Sequence, residues 1–287
     1  MGVFGVAGLQ LDLDGEDNLA RIAQEVAGAR RRFPWIDMIV LPELCAYGPK
    51  TAHAETPGGR GESTFQQIAR DNGIWLLPGS LFLTYGNQIY NVAPVIDASG
   101  TIVSRYRKMF PFRPYEDGVA SGDAFCIQPI EDAGTFGVSV CYDLWFPETT
   151  RSLVWMGAEV LICPTLTSTI DRDVELAMAR AAAAGNQCYV VNVNAGGPMG
   201  MGKSIVCGPG GEIIHQAGGG YEVFAFELDF DYVSRVRRQG WQGLGQPLKS
   251  FRDNAVRFPA YREELTPSWL QELGPVAKRA SRKSIQK

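Results

Sequence analysis

Histidine is scarce in this chain of 287 residues, since only His53 and His215 are present. With so few histidines and no CxxC pair, the sequence contains no zinc-binding motif, and we predict no metal site. A Ser-His-Asp or Cys-His mechanism would have to use one of these two residues, and neither lies at a predicted strand end. We interpret His53 as an ordinary loop histidine and expect any cysteine chemistry to use a carboxylate as its base.

Long apolar runs and a strong net charge are also lacking. No apolar run approaches the ~18 residues of a membrane span, and the first six residues lack the basic region of a signal peptide. The net charge of −4 gives no electrostatic reason to expect nucleic acid or a membrane surface as a partner. The six cysteines are scattered, which is typical of reduced thiols. The sequence therefore predicts a cytoplasmic protein.

Apolar strands and amphipathic helices alternate along the chain, with hairpins inserted. Strands are predicted over residues 3–11, 37–43, 75–82, 88–96, 101–107, 137–141, 159–165, 188–194 and 221–229, with a hairpin over 204–216, and helices over 18–32, 63–72, 148–156 and 171–185. We take Asp171 as the N-cap of the last helix. This alternation predicts an α/β layered fold with a single domain over residues 1–265. Residues 266–287 are predicted to be a tail that is flexible or packed on a partner subunit.

One short motif points to a function that its context contradicts. Residues 197–204 satisfy the phosphate-loop pattern G-x-x-x-x-G-K-[ST]. In a true phosphate loop a helix begins at the Lys-Ser pair, and its N–H groups bind the phosphate. Here residues 205–211 are typical of a strand and a tight turn. Nucleotide binding is therefore the most distant alternative, and we interpret the glycines as a flexible loop at the edge of a pocket.

Three reactive side chains, Glu43, Lys108 and Cys141, each lie at the carboxyl end of a predicted apolar strand, where ligands collect in open α/β sheets. A surface ion pair would explain Glu43 or Lys108 alone. Together the three supply a nucleophile, a base and a cation for an oxyanion, with the backbone N–H of Tyr142 as a second oxyanion donor. We also expect the helix after Cys141 to favour a thiolate. Such chemistry requires no cofactor.

The segments around these residues resemble the signature segments of the nitrilase (carbon–nitrogen hydrolase) superfamily. They are Leu41-Pro42-Glu43, Tyr106-Arg107-Lys108 and Cys141-Tyr142-Asp143-Leu144-Trp145-Phe146-Pro147-Glu148, and the resemblance covers roughly residues 3–260. It implies a four-layer α-β-β-α sandwich that forms homodimers or higher homo-oligomers. It also implies that Glu43 is the general base, Lys108 stabilises the oxyanion and Cys141 is the nucleophile.

The segment from Tyr106 to Glu116 resembles the aliphatic amidase and formamidase branch of that superfamily. By this resemblance, Glu116 is the second glutamate that positions the substrate amide and assists catalysis. The chain departs from that branch at Tyr142 and at Leu144-Trp145. Trp145 also stands where the ω-amidase and carbamoyl-hydrolase branches usually have arginine. These departures leave the substrate open.

We predict a cofactor-free amidase that hydrolyses a small linear carboxamide to a carboxylic acid and ammonia through a Cys141 thioester. The residues predicted to rim its pocket are Tyr47, Tyr142, Trp145 and Thr165. An inward-facing Trp145 would favour a small acyl group. The alternatives are an N-carbamoyl amine or amino-acid hydrolase, or an ω-amidase or nitrilase, with the same triad. From a different class, the alternative is a catalytically silent interaction protein with the same fold.

Overall fold

The structure is a computed structural model that describes residues 3–261 and 267–276. Its α-helices are α1 (Leu19–Arg32), α2 (Arg60–Asn72), α3 (Pro147–Trp155), α4 (Asp171–Asn186), α5 (Phe230–Gln239), α6 (Pro247–Arg252) and α7 (Ser268–Glu272). Its strands are β1 (Val3–Gln10), β2 (Met38–Val40), β3 (Trp75–Leu77), β4 (Leu81–Tyr85), β5 (Gln88–Ile96), β6 (Ile102–Arg107), β7 (Val119–Ala120), β8 (Cys126–Pro129), β9 (Thr135–Val138), β10 (Val160–Thr165), β11 (Tyr189–Asn194), β12 (Ile205–Cys207), β13 (Ile213–Gln216) and β14 (Glu222–Asp229).

The strands form two mixed sheets. The first has eight strands, in the order β14-β1-β2-β3-β5-β4, with β6 and β7 also paired to β5. The second has six strands, in the order β13-β12-β11-β10-β9-β8. In each sheet a parallel centre is flanked by antiparallel strands: β1, β2 and β3 run parallel in the first, and β9, β10 and β11 in the second.

The apolar side chains divide into three main clusters that define four layers. The first cluster joins the inner faces of the two sheets, where Phe4 and Val6 of β1 meet Phe136 and Val138 of β9. A second cluster packs α1 and α2 on the outer face of the first sheet, and a third packs α3 and α4 on the outer face of the second. Burial of apolar surface on both faces of both sheets holds the layers together. The predicted α-β-β-α sandwich is confirmed.

Some element boundaries differ from the prediction. The strand predicted over 75–82 is two strands, β3 and β4, because Pro78 and Gly79 interrupt it. The N-cap of α4 is Ile170, and Asp171 is the first residue of the helix. Residues 267–276 of the predicted tail are exposed and contain α7, while residues 277–287 lie outside the described residues. Among the helices that the structure describes, none is long and apolar enough to cross a membrane.

The phosphate-loop pattern lies in a context that differs from a nucleotide site. Strand β12 begins one residue after Ser204, as predicted, where a phosphate loop would continue as a helix. The Lys203 Nζ lies 2.6 Å from Asp173 Oδ1, and the Ser204 hydroxyl donates to Gln10 Oε1 at 2.8 Å. Both side chains are thus engaged by protein groups.

Candidate active site

Glu43 lies three residues beyond the end of β2, at the carboxyl edge of the first sheet. Its backbone N–H donates to the Thr165 carbonyl of the second sheet at 3.3 Å, so this segment joins the two sheets. The turn after β3 approaches closely: a Cβ on Gly79, whose φ is +72°, would lie 1.7 Å from the Pro42 oxygen. Only glycine fits there. The result is a Glu43 carboxylate that is 3% exposed and points into the protein.

Lys108 follows β6 directly and bridges two carboxylates. Its Nζ lies 2.8 Å from Glu43 Oε1 and 2.6 Å from Glu116 Oε2. Asn91 of β5 completes the arrangement, because its amide donates to Glu43 Oε1 at 2.8 Å and to Glu116 Oε1 at 3.0 Å. Glu43, Lys108 and Glu116 therefore converge. A buried asparagine that the sequence analysis missed fixes both glutamates.

Cys141 follows β9 by three residues and begins a short 3₁₀ turn, Cys141–Trp145. Its φ of +48° is unusual for a non-glycine residue and costs about 1 kcal/mol or more. Asp143 stabilises the turn, since its carboxylate accepts from the backbone N–H groups of Val140 and Phe110, both at 2.9 Å, and from the Tyr106 hydroxyl at 2.7 Å. Asp143 and Tyr106 are positioning residues that sequence reasoning did not identify.

The charges of the site set its protonation states. Burial and the neighbouring Glu116 raise the pKa of Glu43, although Lys108 opposes that shift. Burial alone would lower the pKa of Lys108, but Glu43 and Glu116 outweigh it and raise that pKa well above its usual value, so the amine is a cation. Lys108 likewise overcomes the burial of Glu116 and lowers the pKa of its carboxyl.

The expected thiolate at Cys141 is not what the structure favours. Burial, and then the charge of Glu43, raise the pKa of the Cys141 thiol well above its usual value, which exceeds the effect of Lys108. The helix expected to favour a thiolate, α3, begins at Pro147, six residues after Cys141, and the effect of a helix dipole falls off within the first turn. The resting residue is therefore a thiol that requires a base, and Glu43 is the adjacent carboxylate.

A second chain of polar side chains, also missed from sequence, lies near the Cys141 sulfur. The Thr167 hydroxyl is 3.8 Å from the Cys141 sulfur and donates to Glu175 Oε1 at 2.9 Å. The other oxygen of Glu175 accepts from Arg172 Nη1 at 2.9 Å, and the Arg172 side chain is fully buried. Because the Thr167 proton is donated to Glu175, its oxygen is left to accept a hydrogen bond from the thiol or from a substrate.

These groups open onto one cavity of about 550 Å³. Glu43, Lys108, Glu116 and Cys141 all line it, as do the predicted rim residues Tyr142 and Trp145. Two other predicted rim residues lie elsewhere. Tyr47 donates its hydroxyl to Glu55 Oε1 at 2.8 Å, and Thr165 is fully buried between β10 and β11, where its hydroxyl accepts from Asn192 at 2.8 Å. The neighbouring Thr167 takes the place on the cavity wall predicted for Thr165.

The two histidines lie away from the cavity wall. His53 is in a short 3₁₀ helix, with its Nδ1 3.1 Å from the Tyr47 carbonyl oxygen. His215 of β13 contacts Glu222 at 2.7 Å and stacks on Phe224. Neither histidine therefore contributes to the wall of this cavity, which the carboxylates of Glu43, Glu116 and Glu175 do line.

Glu43, Lys108 and Cys141 thus share one cavity at the adjoining edges of two packed sheets, and a nucleophile, a carboxylate and a cation together are suited to hydrolysing an amide. Comparisons with known proteins show the family of the chain. The family model described as carbon–nitrogen hydrolase matches residues 5–238, so the chain belongs to that family, within the nitrilase superfamily. It acts on carbon–nitrogen bonds of amides.

One relative and two solved structures illustrate the similarity. A 2-oxoglutaramate amidase of Paenarthrobacter nicotinovorans is 28% identical over 261 residues, which cover 82% of this chain and 87% of the relative. Nit3 of Saccharomyces cerevisiae, a member of branch 10 of the nitrilase superfamily, has a TM-score of 0.76 at 26% identity, covering 82% of this chain and 93% of that one. An amidase from Nesterenkonia sp. AN1, with the acetamide moiety of fluoroacetamide added to its active site cysteine, has a TM-score of 0.73 at 25% identity, covering 82% and 94%.

Proposed function

We propose that the protein hydrolyses a linear primary carboxamide to a carboxylic acid and ammonia through a thioester on Cys141. The observation that carries this proposal is the buried ion-paired set of Glu43, Lys108 and Glu116, which shares one cavity with a thiol whose pKa is raised. Such a thiol requires a base beside it, and Glu43 has the raised pKa of a carboxylate suited to that task.

In the first half-reaction, Glu43 takes the thiol proton while the Cys141 sulfur attacks the amide carbon. The carbonyl oxygen becomes an oxyanion, stabilised by the Lys108 ammonium and the Tyr142 N–H. Glu43 then passes its proton to the amide nitrogen, the C–N bond breaks, and ammonia leaves. The acyl group remains bound to sulfur as a thioester.

In the second half-reaction, water replaces ammonia. Glu43 removes one proton from the water as its oxygen attacks the thioester carbon, and Lys108 again neutralises the oxyanion. The C–S bond breaks, the sulfur regains a proton from Glu43, and the carboxylic acid is released. The atoms balance without a redox step, and Glu43 acts as base and acid in each half.

Glu116 has a supporting role in this scheme, since its Oε2 lies 2.6 Å from Lys108 and 2.5 Å from the Phe112 N–H. We expect Glu116→Gln to lower kcat by roughly tenfold or more while the protein stays folded, because it removes a charge that orients Lys108 and the amide. Asp123→Asn is the matched control, since Asp123 is an exposed loop carboxylate paired with Arg107. An unchanged kcat in Glu116→Gln would mean that the Glu116 carboxylate has no part in catalysis.

Ammonia release from a panel of amides tests the proposed function. The panel contains formamide, acetamide, propionamide, butyramide, an N-carbamoyl amino acid and an aliphatic nitrile. Turnover of the amides supports the proposal, and turnover of the carbamoyl compound alone would favour the rival hydrolase with the same nucleophile. Turnover of the nitrile alone would favour a nitrilase. If no ammonia were released from the panel or from the longer amides 4-aminobutanamide, pentanamide and glutaramate, the proposal would be contradicted and an interaction protein would be favoured.

The predicted small acyl group gains only partial support from the cavity. Trp145 lines it, and its Nε1 lies 3.5 Å from Glu175 Oε1, which directs the indole toward that wall. The volume nevertheless exceeds the space that the short amides of the panel would fill. The cytoplasmic location, the homo-oligomeric assembly and the single domain over residues 1–265 stay predictions.

A further inference from the structure

The cavity extends from a buried catalytic end to a solvent-exposed mouth. Lys108 and Glu43 are 2% and 3% exposed, whereas Tyr115 is 66% exposed, and all three line the same cavity of about 550 Å³. Asp117 and Asp171 also line it and are exposed or half-buried. A linear amide that reacts at the buried end therefore extends its far end toward these outer residues.

Negatively charged side chains outnumber positively charged ones along the wall of this cavity. Five of the lining side chains are carboxylates, and among the described lining residues Lys108 is the one with a positively charged side chain. Lys108 is shared by Glu43 and Glu116, while Glu175 is neutralised from behind by Arg172. Asp117 and Asp171 remain, and neither is in an ion pair with a described residue. The mouth of the cavity therefore carries negative charge that no described ion pair neutralises, while the Asp171 carboxylate accepts a hydrogen bond from the Thr169 hydroxyl at 2.9 Å and lies in the first turn of α4.

Aromatic rings line the same wall. Phe112 is 4.9 Å from Tyr142 and 5.1 Å from Tyr115 between ring centroids, and Tyr142 is 5.8 Å from Trp145. Where the face of such a ring is open to the cavity, it attracts an ammonium group and offers nothing to a carboxylate. Negative charge and ring faces thus select for the same kind of ligand.

We propose that the substrate is a linear carboxamide whose far end carries a protonated amine, recognised by Asp171 and Asp117 among these rings. This proposal rests on the proposed function and adds the substrate class. It sets the protein apart from the similar 2-oxoglutaramate amidase, whose named substrate carries a carboxylate. A carboxylate would meet Asp171 and Asp117 without a free lysine or arginine on the described cavity wall to pair with it.

Three amides that differ only in the terminal group test the proposal: 4-aminobutanamide, pentanamide and glutaramate, which end in ammonium, methyl and carboxylate. We expect kcat/KM to fall in that order, with the ammonium compound roughly tenfold above the methyl compound at low salt. Raising the ionic strength should shrink this ratio, because the two aspartates at the mouth are accessible to solvent.

A pair of variants locates the effect. Asp171 and Asp173 are both acids in the first turn of α4, but Asp171 lines the cavity, whereas Asp173 is paired with Lys203. Asp171→Asn should reduce the ratio of 4-aminobutanamide to pentanamide turnover several-fold, and further when combined with Asp117→Asn. Asp173→Asn should leave that ratio unchanged, which controls for any effect on the helix.

Other outcomes separate this proposal from the proposed function. Equal kcat/KM for the three amides, or a preference for glutaramate, would overturn the amine specificity and leave the amidase activity in place. Hydrolysis of the short amides in the panel without any of these three would do the same. An equal fall of the ratio in Asp171→Asn and Asp173→Asn would also overturn it, because the effect would then come from the helix.

Discussion

Replacing Cys141 with alanine is expected to abolish ammonia release, with a loss of roughly 10³-fold or more, since no other group can form the thioester. Cys141→Ser should lose nearly as much. An alcohol is far less acidic than a thiol, and the Glu43 carboxylate is too weak a base to deprotonate it, even with a raised pKa. Initial rates with the best amide of the panel, under saturating substrate, measure both variants.

Alkylation provides a second readout for the same residue. All six cysteines are buried, but Cys141 is the one on the wall of the described cavity. Iodoacetamide should therefore modify Cys141 first, and excess amide substrate should slow that modification. Cys207→Ala, in strand β12, is the matched control and should keep full activity. Turnover retained in Cys141→Ala would end the proposed mechanism, and labelling of Cys141 no faster than that of the other five would favour a silent protein.

The positions of Glu43, Lys108 and Cys141 after strands were predictable because each residue interrupts an apolar run. Glu43 and Lys108 follow two strands of the first sheet, and Cys141 follows a strand of the second. The spacing of these residues along the sequence did not predict that they converge, because their convergence depends on how two sheets pack back to back. The resemblance to a known family supplied that packing, and the structure confirms the layers.

The supporting residues were missed for a different reason. Asn91 lies inside a strand, where nothing in the sequence indicates that its side chain has a role. Arg172 and Glu175 have the i, i+3 spacing of an ordinary exposed ion pair on a helix. Their burial follows from the docking of α4 over the 3₁₀ turn of Cys141, which is a long-range contact. Local sequence contains no signal for such contacts.

The errors on the pocket rim also arise from local geometry. Thr165 and Thr167 are two residues apart at the end of β10, and small differences in where the strand ends decide which one faces the cavity. Side chains alternate in a strand, but that alternation stops once the chain leaves the ladder. Tyr47 is drawn away by its hydrogen bond to Glu55, a partner eight residues further along the chain.

Lys108→Met is expected to affect both activity and stability. It removes the cation that stabilises the oxyanion, so kcat should fall by roughly 10²-fold or more. It also leaves two buried carboxylates, Glu43 and Glu116, without a partner, which should lower the free energy of unfolding by about 3 kcal/mol. Denaturant unfolding with and without the substitution measures the second effect.

The pH dependence distinguishes the loss of charge from a general packing defect. Lys108 lowers the pKa of Glu43 and of Glu116, so its removal raises both. A carboxyl whose pKa is raised by folding destabilises the fold as the pH rises through the range where it ionises. The stability deficit of Lys108→Met should therefore be smaller at about pH 4.5 than at about pH 7.5. Any residual turnover should decline on acidification, and that decline should begin at a higher pH than in the unchanged protein.

Lys203→Met is the comparison for this variant, because Lys203 pairs with Asp173 near the surface and such a pair contributes about 1 kcal/mol or less. Similar deficits in the two variants, or one in Lys108→Met that does not change with pH, would mean that Lys108 does not hold the two glutamates ionised. In that case Glu43 would not be kept as a carboxylate beside the thiol, and the assignment of Glu43 as the base would have to be abandoned. A pH-dependent deficit confined to Lys108→Met would tie the stability of the fold to the protonation state that the proposed chemistry requires.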